Sequence, residues 1–205
     1  KAINFSMTSF ITTGGIRGNK NSVDTFQPRS FNMGLSKKAF EASNGFGSIH
    51  PGEDPDLSIR LWELGYKTKL LPDAYVFHKR RISWKKFYKQ VYKFGMVRPI
   101  LNRWHPATKK ITYWFPTLFS LGLLVSVGLF FVQVKLGIYA YMLYFIMAFV
   151  VALFSTKSVK VALLSLMAIV VQFIGYGYGF IKSTVLLHSK NKPETIFPEL
   201  FFKLK

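Results

Sequence analysis

Cysteine does not occur in this chain of 205 residues. Its absence removes a disulfide framework, a thiol nucleophile and a zinc–thiolate site together. Acidic residues are scarce, with 9 Asp and Glu against 28 Lys and Arg, a formal net charge of +19 at pH 7. Charge of either sign is scarcer still over one long stretch: between Tyr113 and Ile181 the only charged residues are Lys135, Lys157 and Lys160. That distribution rules out a single water-soluble globule. The start, Lys-Ala-Ile-Asn-Phe-Ser, lacks the charged, apolar and cleavage regions of a signal peptide, so membrane entry is expected from the later segments.

Those segments are three apolar runs, Tyr113 to Val134, Leu136 to Phe154 and Val161 to Ile181. Each is close to the roughly 20 residues a helix needs to cross a hydrocarbon core of about 30 Å. All three read as transmembrane helices joined by tight turns. Gly175, Gly177 and Gly179 leave room for another backbone to approach. None of the runs holds an Asp, Glu, Lys, Arg or His, which argues against an ion or proton path through these helices alone.

The basic excess is local. Lys79 to Lys110 holds 11 basic and no acidic residues, immediately before the first apolar run. Such a block is expected to face anionic lipid headgroups and to place the N-terminal region on the cytoplasmic side of the cell membrane. Nucleic acid is not an expected partner, because no recognition motif accompanies the charge. Three crossings would put the tail outside, yet Lys182, Lys190, Lys192, Lys203 and Lys205 make that tail basic. The third run re-entering, or Phe197 to Leu204 lying on the surface, would reconcile the two. The expected organisation is a polar domain over residues 1–78, a basic amphipathic interfacial region over 79–112, three membrane helices over 113–187 and a basic tail over 188–205. In the interfacial region Trp84, Phe87, Val91 and Phe94 alternate with Lys85, Lys86, Lys89 and Lys93, as a helix on a membrane surface requires.

In the polar domain, Pro55 to Gly65 has the start and stop of a short helix, with apolar residues at 57, 61 and 64. Asp54 is then the expected N-cap. Ser36 is a second candidate cap. Lys67 to Leu71 and Ala74 to His78 read as short strands around a Pro-Asp turn. Gly14-Gly15-Ile-Arg-Gly18-Asn lacks the Gly-Lys-Ser/Thr ending of a phosphate-binding loop and reads as a linker. Gly52-Glu53-Asp54-Pro55 carries the chemistry. Two adjacent carboxylates at a helix start meet the helix dipole and free N–H groups, which favour ionisation, so one of them can accept a proton at neutral pH. On its own the pattern equally suits helix capping.

The order of motifs goes further. Phe31 to Phe40, Gly45-Phe46, Gly-Glu-Asp-Pro-Asp-Leu-Ser-Ile-Arg-Leu61, Leu-Gly-Tyr-Lys67 and Pro72 to His78 together resemble the C-terminal half of a family 2 glycosyltransferase with the GT-A fold, over residues of about 24 to 110. The resemblance implies an α/β fold ahead of the all-α membrane region. It also implies a nucleotide-sugar donor, a lipid-linked or glycan acceptor, and inversion at the anomeric centre. It makes Asp54 the catalytic base, places Glu53, Asn32, Gly34, Gln90 and Arg81 against substrate, and puts His78 on a divalent metal, Mg or Mn, held mostly by residues outside this sequence. The metal-binding Asp-x-Asp motif of that family has no match here, so Lys1 is expected to be an internal residue of a longer protein and the chain alone to be inactive. Gln90-Val-Tyr-Lys-Phe94 stands where processive members carry Gln-x-x-Arg-Trp, with Lys for Arg and Phe for Trp. The competing readings are a noncatalytic membrane-anchored scaffold or partner-binding module, in which Asp54 only caps its helix, and a processive polysaccharide synthase.

Overall fold

A computed structural model describes residues 1–13, 26–71, 73–77, 83–189 and 191–202. The described residues form α1 (Ala2–Thr8), α2 (Phe10–Thr13), α3 (Lys37–Ala42), α4 (Glu53–Glu63), α5 (Trp84–Trp104), α6 (Phe115–Phe131), α7 (Leu136–Thr156), α8 (Val159–Leu186) and α9 (Pro193–Ile196), with short 3-10 turns at Pro106–Thr108, Ile111–Trp114 and Pro198–Leu200. They divide into two compact units. The first holds Lys1–Gly18, Arg80–Met96 and Lys110–Lys182, the second Asn19–Lys79, Val97–Lys109 and Ser183–Lys205. The Gly14 to Asn19 linker, Pro72, His78 and Arg81 lie outside the described residues.

The first unit is helical throughout. Ile111–Phe131, Leu136–Thr156 and Val159–Leu186 are long and apolar enough to cross a membrane. Uninterrupted apolar sequence explains both their length and their surfaces, since in lipid a helix satisfies its own backbone and needs no polar face. Leu118, Leu124 and Leu143 stand more than half exposed, as lipid-facing side chains do. Contacts between helices use small residues and aromatic edges. Phe119 packs edge-on to Tyr141, Tyr144 and Phe173, and Thr117 donates to the buried Gly177 carbonyl at 3.1 Å. The three glycines of α8 serve the close approach their spacing implies. A Cβ at Gly175 would meet Val91, one at Gly179 the Tyr92 carbonyl, and one at Gly177 the Pro116 carbonyl, so α8 lies against the backbones of α5 and α6. On α5, Phe87 and Val91 are buried against Met7 of α1 and Ala168 of α8. Trp84, Lys85, Lys86 and Lys89 remain exposed.

The second unit is built on α3 and α4. Ser36 caps α3 by accepting from the Ala39 N–H at 3.2 Å. Ala39 then packs on Leu57 and Leu61, one turn apart on α4, with Met33, Leu35 and Tyr66 around them. Leu64, the third apolar position of the expected helix, is 52% exposed. No strand or sheet occurs among the described residues, so the α/β GT-A architecture expected from the resemblance is not seen. In the stretches expected as strands, Lys67 to Leu71 and Ala74 to His78, Thr68 takes an isolated bridge position and the other described residues run as irregular chain. A lone hairpin is marginal in water and needs further strands to pair with. Here the described pairing consists of isolated bridges, among them Arg29 with Asn32 and Ile49 with Phe201.

Candidate active site

The start of α4 differs from the expected cap. Gly52, not Asp54, is the N-cap, at φ 130°, a conformation that favours glycine. The helix therefore begins at Glu53, and the Asp56 N–H closes the first turn on the Gly52 carbonyl at 3.0 Å. Pro55 falls within that first turn, where a missing N–H leaves no intrahelical bond unmade. Relieved of capping, the Asp54 carboxylate turns outward from its helix. Its Oδ1 accepts the Ser30 N–H at 3.1 Å. Ser30 is presented by a tight turn in which the Asn32 N–H donates to the Arg29 carbonyl at 2.8 Å, and the Asn32 side chain donates to the Ala74 carbonyl at 3.1 Å. Burial pushes the Asp54 carboxyl above its ordinary value of 3.8, and the Glu53 charge adds to the rise. Hydrogen bonds from Ser30 and the charge of Arg29 pull the other way. The sequence expectation, in which the helix dipole would favour ionisation, underrates the loss of solvent at this carboxyl.

Glu53 pairs its Oε1 with His50 Nδ1 at 3.1 Å, while its Oε2 is buried without a hydrogen-bond partner. A pocket of about 360 Å³ opens here, lined by Ser30, Phe46, Gly47, Ser48, Glu53 and Phe202. Both residues adjoining Asp54, Glu53 through the chain and Ser30 through its hydrogen bond, thus form its wall. Asn32 shapes the turn that carries Ser30. Gly34 has open space around it, with nothing within 4 Å of where a Cβ would stand. Gln90 is half-buried on the part of α5 that belongs to the first unit. His78 and Arg81 lie outside the described residues. Among the described residues no three His, Asp or Glu side chains gather as metal ligands.

A second cluster was not foreseen from the sequence. Asp56, 5% exposed, receives Arg60 Nε at 3.0 Å and Nη2 at 2.8 Å on one oxygen. Its other oxygen meets His105 Nε2 at 3.0 Å, and His105 Nδ1 meets Glu63 at 2.9 Å. Arg60 also donates to the carbonyls of Ser43 and Gly45. The network ties α4 to the end of α5 and to the loop after α3. Asp56 and Arg60, four apart on a helix, were legible as a pair; His105 stands 49 positions from Asp56 and gave no local signal. Ser30 and Phe202 were equally unmarked, and Phe46 stood in the Gly45-Phe46 motif without an assigned role.

A pocket flanked by carboxylates at a helix start, in a chain with three membrane-length helices, defines the protein as a membrane-associated one with a candidate acid–base site. The sequence model of a family described as glycosyl transferase family group 2 matches residues 29–181, and the chain belongs to that family. The match takes in both the α4 site and the apolar helices. No curated protein matches the chain, and no solved structure does.

Proposed function

We propose that Asp54 is the general base of an inverting sugar transfer from a nucleotide-sugar donor to a lipid-linked or polysaccharide hydroxyl, at the cytoplasmic face of the membrane. The observation that carries this reading is the Asp54 carboxylate itself, half-buried, raised in basicity by desolvation and held by the Ser30 N–H beside an open pocket. A carboxylate that only capped its helix would spend its oxygens on its own first turn. In the proposed step the acceptor O–H gives its proton to Asp54 while its oxygen attacks the anomeric carbon. The bond to the leaving phosphate breaks, the electron pair departs with the nucleoside diphosphate, and the configuration inverts. The buried Glu53 Oε2 can accept from a second acceptor hydroxyl, which would satisfy that atom and fix the sugar's orientation. Phe46 and Phe202 offer apolar faces to the ring.

General-base assistance is worth roughly 10² to 10⁴ in rate. In the full-length protein Asp54→Asn should therefore lower turnover at least about 100-fold while leaving the fold intact, because the amide oxygen can still accept the Ser30 N–H. Wild-type sugar transfer by a well-folded Asp54→Asn protein removes Asp54 from the mechanism.

A further inference from the structure

The segment that follows α8 is built into the same unit as Asp54. The Phe202 N–H donates to the Ser48 carbonyl and the His50 N–H to the Leu200 carbonyl, both at 2.7 Å, around an antiparallel bridge between Ile49 and Phe201. Phe197 and Leu200 are 1% and 0% exposed. The His50 and Phe202 rings lie 5.2 Å apart, and Trp104 meets Phe201 at 6.1 Å. Just ahead of the apolar helices, Arg103 Nη1 lies 3.3, 3.4 and 3.2 Å from the carbonyls of Leu187, Ser189 and Asn191, just behind them. The chain thus leaves this unit at Lys109 and returns to it at Ser183.

A chain that leaves and re-enters one folded unit crosses the bilayer an even number of times in between. Three helices in the interval are long enough to cross, so one of them does not. α6 and α7 are joined by a tight turn at Val132 to Lys135 and suit a crossing hairpin. α8 is the exception, with 33% of its most apolar stretch buried inside the protein against 11% for each of the other two. Its packing on α5 at Gly175 and Gly179 occupies surface that a lone spanning helix would give to lipid. The basic residues Lys182, Lys190 and Lys192 belong on the same side as the block before α6 by the positive-inside rule.

We propose that the segment Pro193–Phe202 stands on the same side of the membrane as Asp54, docked on Ser48–His50 as a fixed wall of the pocket, with α6 and α7 crossing as a pair and α8 not crossing. Docking and sidedness hold whatever reaction the pocket serves; only the part of Phe202 in binding substrate rests on the sugar-transfer reading. Residues 1–205 contain no cysteine, so the test needs replacement only of any cysteine elsewhere in the full-length protein. Single Lys37→Cys, Ser189→Cys and Lys135→Cys variants of the full-length protein are labelled with a membrane-impermeant maleimide in sealed vesicles of either orientation. Lys37→Cys and Ser189→Cys should react from one side, Lys135→Cys from the other; labelling of Ser189→Cys from the side opposite Lys37→Cys overturns the proposal. Ile49 and Phe201 form a non-hydrogen-bonded pair, the closer kind in an antiparallel ladder, so Ile49→Cys/Phe201→Cys should form an intramolecular disulfide under mild oxidation. A membrane-inserted double variant that stays reduced contradicts the docking. Oxidised and reduced forms should transfer sugar at the same rate, since a fixed wall loses nothing by being tethered, and loss of turnover on oxidation would make the segment a moving gate instead. If the unsubstituted protein transfers no sugar, the proposed reaction fails while labelling and crosslinking still decide the docking.

Discussion

Asp56→Asn is the substitution whose cost follows most directly from the geometry. Asp56 uses both carboxylate oxygens, one on two donors of Arg60 and the other on His105. An amide keeps one oxygen and turns an NH2 towards one of these former partners. Either way Arg60 loses the carboxylate charge it pairs with, and an NH2 turned towards Arg60 would face a donor, in a site where Asp56 is 5% exposed. Breaking a buried ion pair from one side costs about 3 to 5 kcal/mol. Arg60 keeps its bonds to the Ser43 and Gly45 carbonyls, which places the expected loss near the lower figure, about 3 kcal/mol. For a chain of this size each kcal/mol moves the melting midpoint by roughly 2 to 4 °C, so the drop should be about 6 to 12 °C.

The assay is thermal melting in detergent micelles followed by tryptophan fluorescence, for which Trp62 on α4 and Trp104 at the end of α5 flank the network. Glu63→Gln serves as the internal comparison. Glu63 touches the same histidine but its side chain is 54% exposed, and an exposed pair contributes at most about 1 kcal/mol. An Asp56→Asn protein that melts within about 2 °C of the parent, or no lower than Glu63→Gln, would refute the claim that this network holds α4 in place.

The activity of the full-length protein should fall on the acid side through protonation of Asp54, with the limb of kcat/KM above pH 3.8 because burial raises that carboxyl; Glu53→Gln removes a like charge and should move the limb to lower pH. A raised carboxyl contributes stability that is present at low pH and lost as pH rises through its folded value, so Asp54→Asn should melt no lower than the parent at pH 7 even as turnover collapses. Gly52→Ala places a Cβ 2.6 Å from Val97 at φ 130°, and strain of this kind costs on the order of 1 to 3 kcal/mol; its thermal midpoint should drop accordingly. Gly95→Val drives a side chain into the Tyr176 carbonyl of α8, and should lower the yield of folded, membrane-inserted protein far more than Gly128→Val, whose Cβ meets nothing.

The helices were legible because their signals are local. Three unbroken apolar runs give three membrane-length helices within a few residues of the expected ends, and the Pro and Gly around residues 55 to 65 bracket a helix that runs Glu53–Glu63. The two-residue shift has a physical source in Gly52, whose positive φ lets the chain turn into the helix before Asp54 is reached. The expected sheet had no such local basis. Lys67 to Leu71 and Ala74 to His78 have strand composition, but a strand is stable only through the edge it pairs with. Resemblance supplied that edge in expectation, and the described chain does not.

The candidate site shows the same division within four residues. Glu53-Asp54-Pro55-Asp56 offers three carboxylates, of which the sequence marked Glu53 and Asp54 and left Asp54 open as either helix cap or base. On an α-helix, residues two apart point about 200° from each other, so Asp54 and Asp56 cannot serve one site once the helix starts at Glu53. Asp56 turns inward to Arg60 and His105 and is fully engaged. Asp54 turns to Ser30, at the rim of the pocket, with desolvation raising its affinity for a proton. Environments that set neighbouring carboxylates apart are what acid–base chemistry requires. Here that separation depends on which residue the helix begins at, and so on the glycine one position before the motif that marks the site.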